Sequence, residues 1–177
     1  MKKKLKWITH ADLTINKNPS VFRNEYLDYM TFKSNNHIDG QLETVEGTLQ
    51  YFSRIAHPNF GLLYDSMHLH ISGEDYQGCI PEFIRITRNI LVQSRRPTRL
   101  GEEASINTNG KSWTRALPDE SGVQNWPGIF STFRRLGYDG LITVIESEWP
   151  GDQRKFVAGH CARIVRQFWE ENAGGEK

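Results

Sequence analysis

The sequence predicts an α/β fold built from consecutive βα units around a parallel sheet. Three observations predict it. Short apolar runs alternate with longer amphipathic segments, as strands and crossover helices do. The first three runs begin near residues 29, 60 and 90, a spacing close to one βα unit. The run Phe60-Gly-Leu-Leu-Tyr64 stops abruptly at Asp65 and His68. In α/β folds ligands bind at the carboxyl ends of parallel strands.

The first strand is read at residues 29–33. A helix follows over residues 42–56, with Leu42, Val45, Leu49, Phe52 and Ala56 at steps of three and four. His57-Pro58-Asn59 ends it, since proline cannot continue a helix. The second strand covers residues 60–64, and the turn Ser72-Gly73 follows. A helix over residues 74–88 turns Tyr76, Cys79, Ile80, Phe83 and Ile86 inward, and residues 90–93 form the third strand. Residues 94–124 are polar, rich in Arg, Gly, Ser and Asn, and read as a long inserted loop.

Asn125 caps a short helix that runs through Leu136, with Trp126, Ile129, Phe130 and Phe133 apolar. Gly137 closes it, and Tyr138-Asp139-Gly140 turns into a fourth strand at residues 141–145. The last helix covers residues 152–171, with Val157, Cys161, Ile164 and Phe168 on one stripe. Gly174 and Gly175 mark a frayed end. Residues 1–28 form a leader of uncertain structure. Within it residues 5–10 are compatible with a strand, 16–20 with a turn and 21–29 with a short helix. Residues 29–177 are the βα domain.

Composition narrows the class. Hydrophobic residues make up 37% and charged residues 24%, as in an ordinary soluble domain. A net charge of +1 supplies no global field toward nucleic acid or membrane. The basic start is followed by no apolar run of signal-peptide length, and no stretch is apolar enough to span a bilayer. Cys79 and Cys161 read as reduced core thiols, consistent with a cytoplasmic protein.

Two motifs extend the reading. Leu62-Leu63-Tyr64-Asp65-Ser-Met-His68 follows an apolar-apolar-Asp-x-x-His pattern. Gly137-Tyr138-Asp139-Gly140 precedes a strand that runs into Glu146. In this order, and with the helix before the turn, they resemble the xylose isomerase-like TIM barrels of the sugar phosphate isomerase/epimerase group. The resemblance runs from about Asn35 to Trp169 and corresponds to the second half of such a barrel. It implies a partial (half) TIM barrel of four βα units.

The resemblance also implies a site. The family holds a divalent metal with Glu, Asp, His and Glu from four strand ends, and two carboxylates move protons. Carried over, Asp65 and Glu146 are the metal ligands, with Glu148 close to the latter. His68 and Glu146 are the catalytic positions, and His68, Arg99, Asn35, His37 and Gln93 the substrate-binding ones. Two positions depart from the pattern: Asn35 stands where the family has Glu, and Gln93 where it has His. Neutral amides are weak partners for a divalent ion, so Mn, Mg or Co is expected to bind weakly or not at all.

The implied function is a sugar or sugar phosphate isomerase/epimerase acting on a small carbohydrate by metal-assisted proton transfer. The alternative is a non-catalytic relative that binds a sugar or a partner chain. Sheet edges left by the missing half imply a homo-oligomer. Apurinic endonucleases share the superfamily, but the several His ligands and basic groove they need are not visible, so no nucleic-acid partner is expected, and no membrane partner.

Other readings of the same residues remain open. A flavodoxin-like doubly wound sheet is the fold alternative. His68 and His70 form a metal pair if both lie on a strand. Arg95, Arg96 and Arg99 suit a phosphate or carboxylate, or a solvated loop. Trp113 and Trp126 could stack on a sugar, with Trp126 better placed for the core. His10, His37 and His57 suit surface or capping roles, and His160 a core or interface position.

Overall fold

The structure is a computed structural model that describes residues 7–9, 30–33, 44–55, 60–108, 110–145 and 149–171. In chain order these form β1 (Trp7–Thr9), β2 (Met30–Lys33), α1 (Val45–Arg54), β3 (Phe60–Asp65), α2 (Ser66–Ser72) and α3 (Ile80–Phe83). There follow β4 (Thr87–Val92), β5 (Ser94–Pro97), β6 (Ile106–Thr108), β7 (Lys111–Ala116), α4 (Trp126–Arg135), β8 (Leu141–Val144) and α5 (Arg154–Glu171). The readings at residues 16–20, 21–29, His10, His57-Pro58-Asn59, Gly174 and Gly175 lie outside the described residues.

The main sheet has five parallel strands in the order β1-β8-β4-β3-β2. From β2 the order runs β2, β3, β4, β8 without reversal. That is the singly wound order of a barrel. A doubly wound sheet reverses direction partway, and these four consecutive strands do not. β1 comes from the leader and pairs with β8, as the first strand of a closed barrel pairs with its last.

The strands alternate between two faces. Phe60, Leu62 and Tyr64 of β3, Ile90 and Val92 of β4, and Ile142 and Val144 of β8 join one buried cluster with residues of α1, α4 and α5. This is the helix-covered face. Gly61, Leu63 and Asp65, Asn89 and Leu91, and Leu141 and Thr143 therefore point to the opposite face, the lumen side of a barrel.

A register shift between Leu62 and Leu63 keeps these faces in phase. Leu62 pairs with Thr87 but Leu63 pairs with Asn89, so β4 carries one extra residue there. Gly61 makes room for it. A Cβ at position 61 would lie 2.2 Å from the Arg88 Cγ and 2.9 Å from the Ile86 carbonyl oxygen.

Two segments differ from the sequence reading. The expected helix over residues 74–88 is replaced by α2 and the single turn of α3. Asp65 caps α2 directly at the strand end, and Gly73, at φ 83°, stops it. A helix through residues 74–88 would bury Pro81, which has no N–H to donate; Pro81 instead opens α3. The inward residues still reach the core, with Cys79, Ile80 and Phe83 buried.

The inserted loop is in fact folded. Residues 94–116 carry a three-stranded antiparallel sheet in the order β5-β7-β6. Trp113 of β7 packs with Met67 and Ile71 of α2 in a second small cluster, so it is buried rather than presented to a ligand. Trp126 is fully buried in the main core, and Cys79 and Cys161 are buried free thiols. No helix among the described residues is long and apolar enough to cross a membrane.

Candidate functional site at the carboxyl rim

The carboxyl ends of β3, β4 and β8 lie side by side. Asp65 pairs with Leu91, and Leu91 with Thr143, so these three positions are level across the sheet. Asp65 ends β3 with 0% exposure. Its Oδ1 accepts from the Met67 N–H at 3.1 Å and so caps α2. Its Oδ2 lies 3.7 Å from the His68 Nε2. One carboxylate thus serves as a helix cap and faces an imidazole.

His68 is buried in the first turn of α2, not on the surface. Because residues 66–72 are helical, His68 and His70 point about 200° apart around the helix axis. The metal pair expected from strand alternation does not form. His70 instead packs edge-on against Trp113 and Tyr76, with ring centroids 5.1 Å and 5.4 Å away. Burial, with a smaller contribution from Lys111, lowers its pKa below the usual 6.5.

Gln93 follows β4 and is buried. It continues the alternation of Asn89 and Leu91, which brings it to the same face as Asp65. Its backbone carbonyl accepts from the buried Gln124 side-chain amide at 3.0 Å. On the same face Asn89 donates to the Thr143 hydroxyl at 2.9 Å, tying β4 to β8 below the rim. Neither Asn89 nor Thr143 stood out in the sequence; a lone amide inside an apolar strand was the available signal. Asn35, His37, Glu146 and Glu148 lie outside the described residues.

The arginines after β4 have separate fates. Arg96 is buried and forms a fork with Glu102, at 2.7 and 2.8 Å, while its Nε reaches Glu120 at 3.2 Å. The fork holds the Glu102 carboxyl down at about 2. Glu102 also accepts from the Arg99 N–H at 2.8 Å, and Glu120 from the Leu117 N–H at 2.7 Å. Arg96 therefore clamps the insertion together. Arg95 is buried on β5, and Arg99 is exposed on the loop beyond it. His160 is half-buried rather than in the core: its Nε2 lies 2.9 Å from Asp119, and its Nδ1 lies 2.9 Å from the Arg163 guanidinium.

The described donors do not by themselves fit a divalent ion. Asp65 commits one oxygen to the cap, and His68 is an imidazole neighbour among the described residues. No group of three His, Cys, Asp or Glu side chains arranged to hold a metal exists among the described residues. What the rim offers is hydrogen bonding: a carboxylate, an imidazole and an amide on one face at the ends of adjacent strands.

Comparison with known proteins agrees with the barrel order. The profile of the xylose isomerase-like TIM barrel family matches residues 29–167. A xylose isomerase domain protein from Planctomyces limnophilus superposes with a TM-score of 0.57 at 17% identity, over 82% of this chain and 47% of its own. An L-ribulose 3-epimerase gives 0.57 at 14% identity, over 82% and 48%. A xylose isomerase-like TIM barrel protein from Mycobacterium smegmatis, in complex with magnesium, gives 0.61 at 13% identity, over 81% and 44%. This chain thus spans less than half the length of each. A comparison with curated proteins finds no match. With its strands wound in barrel order over the matched residues, the fold is a partial TIM barrel, and the chain belongs to the xylose isomerase-like TIM barrel family.

Proposed function

We propose that the protein is a sugar isomerase or epimerase that, at this rim, moves a proton between adjacent carbons of a small sugar or sugar phosphate or removes and returns it at one carbon with inversion. The observation that supports it most is the gathering of Asp65, His68 and Gln93 at the carboxyl ends of β3 and β4. His68 hydrogen-bonds a sugar hydroxyl, and the buried Asp65 carboxylate, 3.7 Å from its Nε2, orients the ring. Gln93 offers a donor and an acceptor to a second hydroxyl. Asn35, His37 and Arg99 complete the substrate contacts, and Glu146 carries the proton.

A related solved structure is in complex with magnesium, which supports a divalent ion in the wider family, and another is an L-ribulose 3-epimerase, which supports the reaction class. Here Asp65 and Glu146 would be its anionic ligands. Binding of Mn, Mg or Co is weak or absent in this reading, because Asn35 and Gln93 replace charged or imidazole ligands. That same shortage favours a second reading, a non-catalytic sugar-binding relative. The protein acts in the cytoplasm, as a homo-oligomer, without nucleic-acid or membrane partners.

Proton NMR in D2O separates the two readings. An isomerase or epimerase exchanges the carbon-bound hydrogen of a ketose or ketose phosphate for deuterium, and Glu146→Gln abolishes the exchange. Stabilisation of the fold by a sugar, without exchange at any carbon and with or without added Mn²⁺, selects the binding protein.

A further inference from the structure

We propose that Trp113 of the inserted sheet is a positioning residue for His68, which makes the insertion part of the rim site. Its consequence for sugar binding rests on the function proposed above; its geometry does not.

α2 is held from two sides, and His68 lies between them. Met67, His70 and Ile71 share an arc of about 100° around the helix. That arc meets the insertion. Met67 and Ile71 pack with Trp113, and the His70 ring stands edge-on to the indole with centroids 5.1 Å apart. Leu69 lies about 200° on from Met67 and joins the main core. His68 falls about 100° from each of them. That direction brings its Nε2 to 3.7 Å from the Asp65 Oδ2.

Rotation of α2 about its axis would carry His68 away from the carboxylate. Seven residues are too few for a helix to hold its shape in isolation. The Asp65 cap fixes where α2 begins, and Leu69 anchors one side of it. Trp113 blocks the remaining rotation from the other side.

Trp113 is itself firmly placed. It sits on β7, the middle strand of the insertion, paired with Pro97 of β5 and Ile106 of β6. Its carbonyl accepts from the Ser105 N–H at 2.8 Å and from the Ser105 hydroxyl at 3.1 Å. β5 begins at Ser94, just past the end of β4, and the Ser94 Oγ accepts from the buried Trp126 indole N–H at 2.8 Å. Contacts thus run from the main core through the inserted sheet to α2 and His68.

Two measurements test the proposal. The first is native-state hydrogen exchange on the unmodified protein in low denaturant. The Gly73 and Glu74 amides bond back to the His70 and Leu69 carbonyls of α2. They should open together with the β7 amides, before β3, β4 and β8 do. Protection of Gly73 and Glu74 that outlasts β7 and matches β3 and β4 would overturn the proposal.

The second reads the His68 ring by NMR. The parent should show one sharp set of ring signals. Trp113→Ala should broaden or split that set while β3, β4 and β8 keep their amide protection. Trp113→Phe keeps a ring against Met67 and Ile71 and should restore the single set. His70 touches the indole and shifts in any case, so it is not the readout. A lowered Tm with sharp His68 signals in Trp113→Ala would mean a purely structural role and overturn the proposal. If Trp113→Ala does not fold, exchange in the unmodified protein decides. Sugar binding should fall several-fold in Trp113→Ala and recover in Trp113→Phe. A parent that binds no sugar contradicts the proposed function, while the His68 signals still decide the positioning.

Discussion

Asp65 has two roles that one pair of substitutions can separate. Its Oδ1 caps α2 through the Met67 N–H at 3.1 Å, and its other oxygen faces His68 at 3.7 Å. Asp65→Ala removes both. Loss of an N-cap costs about 1 kcal/mol, with a range of roughly 0.5–2. The site is fully buried, which places the cost at the upper end, since the Met67 N–H and the His68 ring are left without water to replace the carboxylate. For a domain of this size each kcal/mol lowers Tm by about 2–4 °C. The Ala variant should therefore melt roughly 3–8 °C below the parent.

Asp65→Asn keeps a capping oxygen of nearly the same reach and loses only the charge. Asn and Asp are about equal as caps, so its Tm should stay within about 2 °C of the parent. Its sugar binding should still fall at least several-fold, because the carboxylate oxygen that faces the His68 Nε2 at 3.7 Å is replaced by a neutral amide group. Circular dichroism melts and sugar titrations on the same preparations read the two effects. Equal melting losses in both variants would refute the division of labour. An unchanged Ala variant would refute the cap itself.

Three further outcomes follow from the geometry. His70 is held neutral by burial, with Lys111 adding to the effect, so the unfolded chain takes up its proton first as pH falls. Its contribution to stability should be complete above about pH 6.5 and decline progressively below it; urea midpoints across pH 5–8 should show that slope, flattened in His70→Gln, and parallel profiles would contradict it. Gly61→Ala should destabilise the sheet by about 1–3 kcal/mol, since the added carbon meets the Ile86 carbonyl at 2.9 Å as well as the Arg88 side chain; denaturant melts check it, and a neutral result would mean that the β3–β4 register is misassigned. Arg96→Ala should speed hydrogen exchange across residues 94–124 while β3, β4 and β8 keep their protection, because the fork to Glu102 and Glu120 joins only parts of the insertion; uniform loss of protection would contradict a local clamp.

Local signals and long-range pairing account for what could be read from the chain alone. The βα spacing was visible because each strand is a short apolar run and each long helix an amphipathic one. Asn125 and Gly137 bracketed α4 correctly, since a cap and a left-handed stop act within a turn of the helix. Asp65 and Gln93 were placed at neighbouring strand ends, and the structure brings both to one rim.

The helix at residues 66–72 was missed although its signals were present: a capping Asp65, apolar Met67, Leu69 and Ile71, and Gly73 as the stop. Pro81 likewise argued against a continuous helix over residues 74–88. The antiparallel insertion was partly visible in Asn109-Gly110, a hairpin pair, before the alternating β7. Its polar composition hid it, because a small sheet lying over α2 buries only Trp113 and a few neighbours. The roles of Arg95, Arg96 and Arg99 could not be told apart in sequence. Which arginine meets Glu102 and Glu120 is decided by folding of the insertion, not by local pattern.

The claim that a sugar binds at the carboxyl rim is tested most directly by two-dimensional NMR of isotopically labelled protein, titrated with small ketoses and ketose phosphates. Saturable shifts in the amides of residues 65–68 and 93–95, with the His68 ring signals moving in step and the response lost in Asp65→Asn, are the predicted result. Shifts confined to the amino ends of the strands, or none at millimolar sugar, would contradict it.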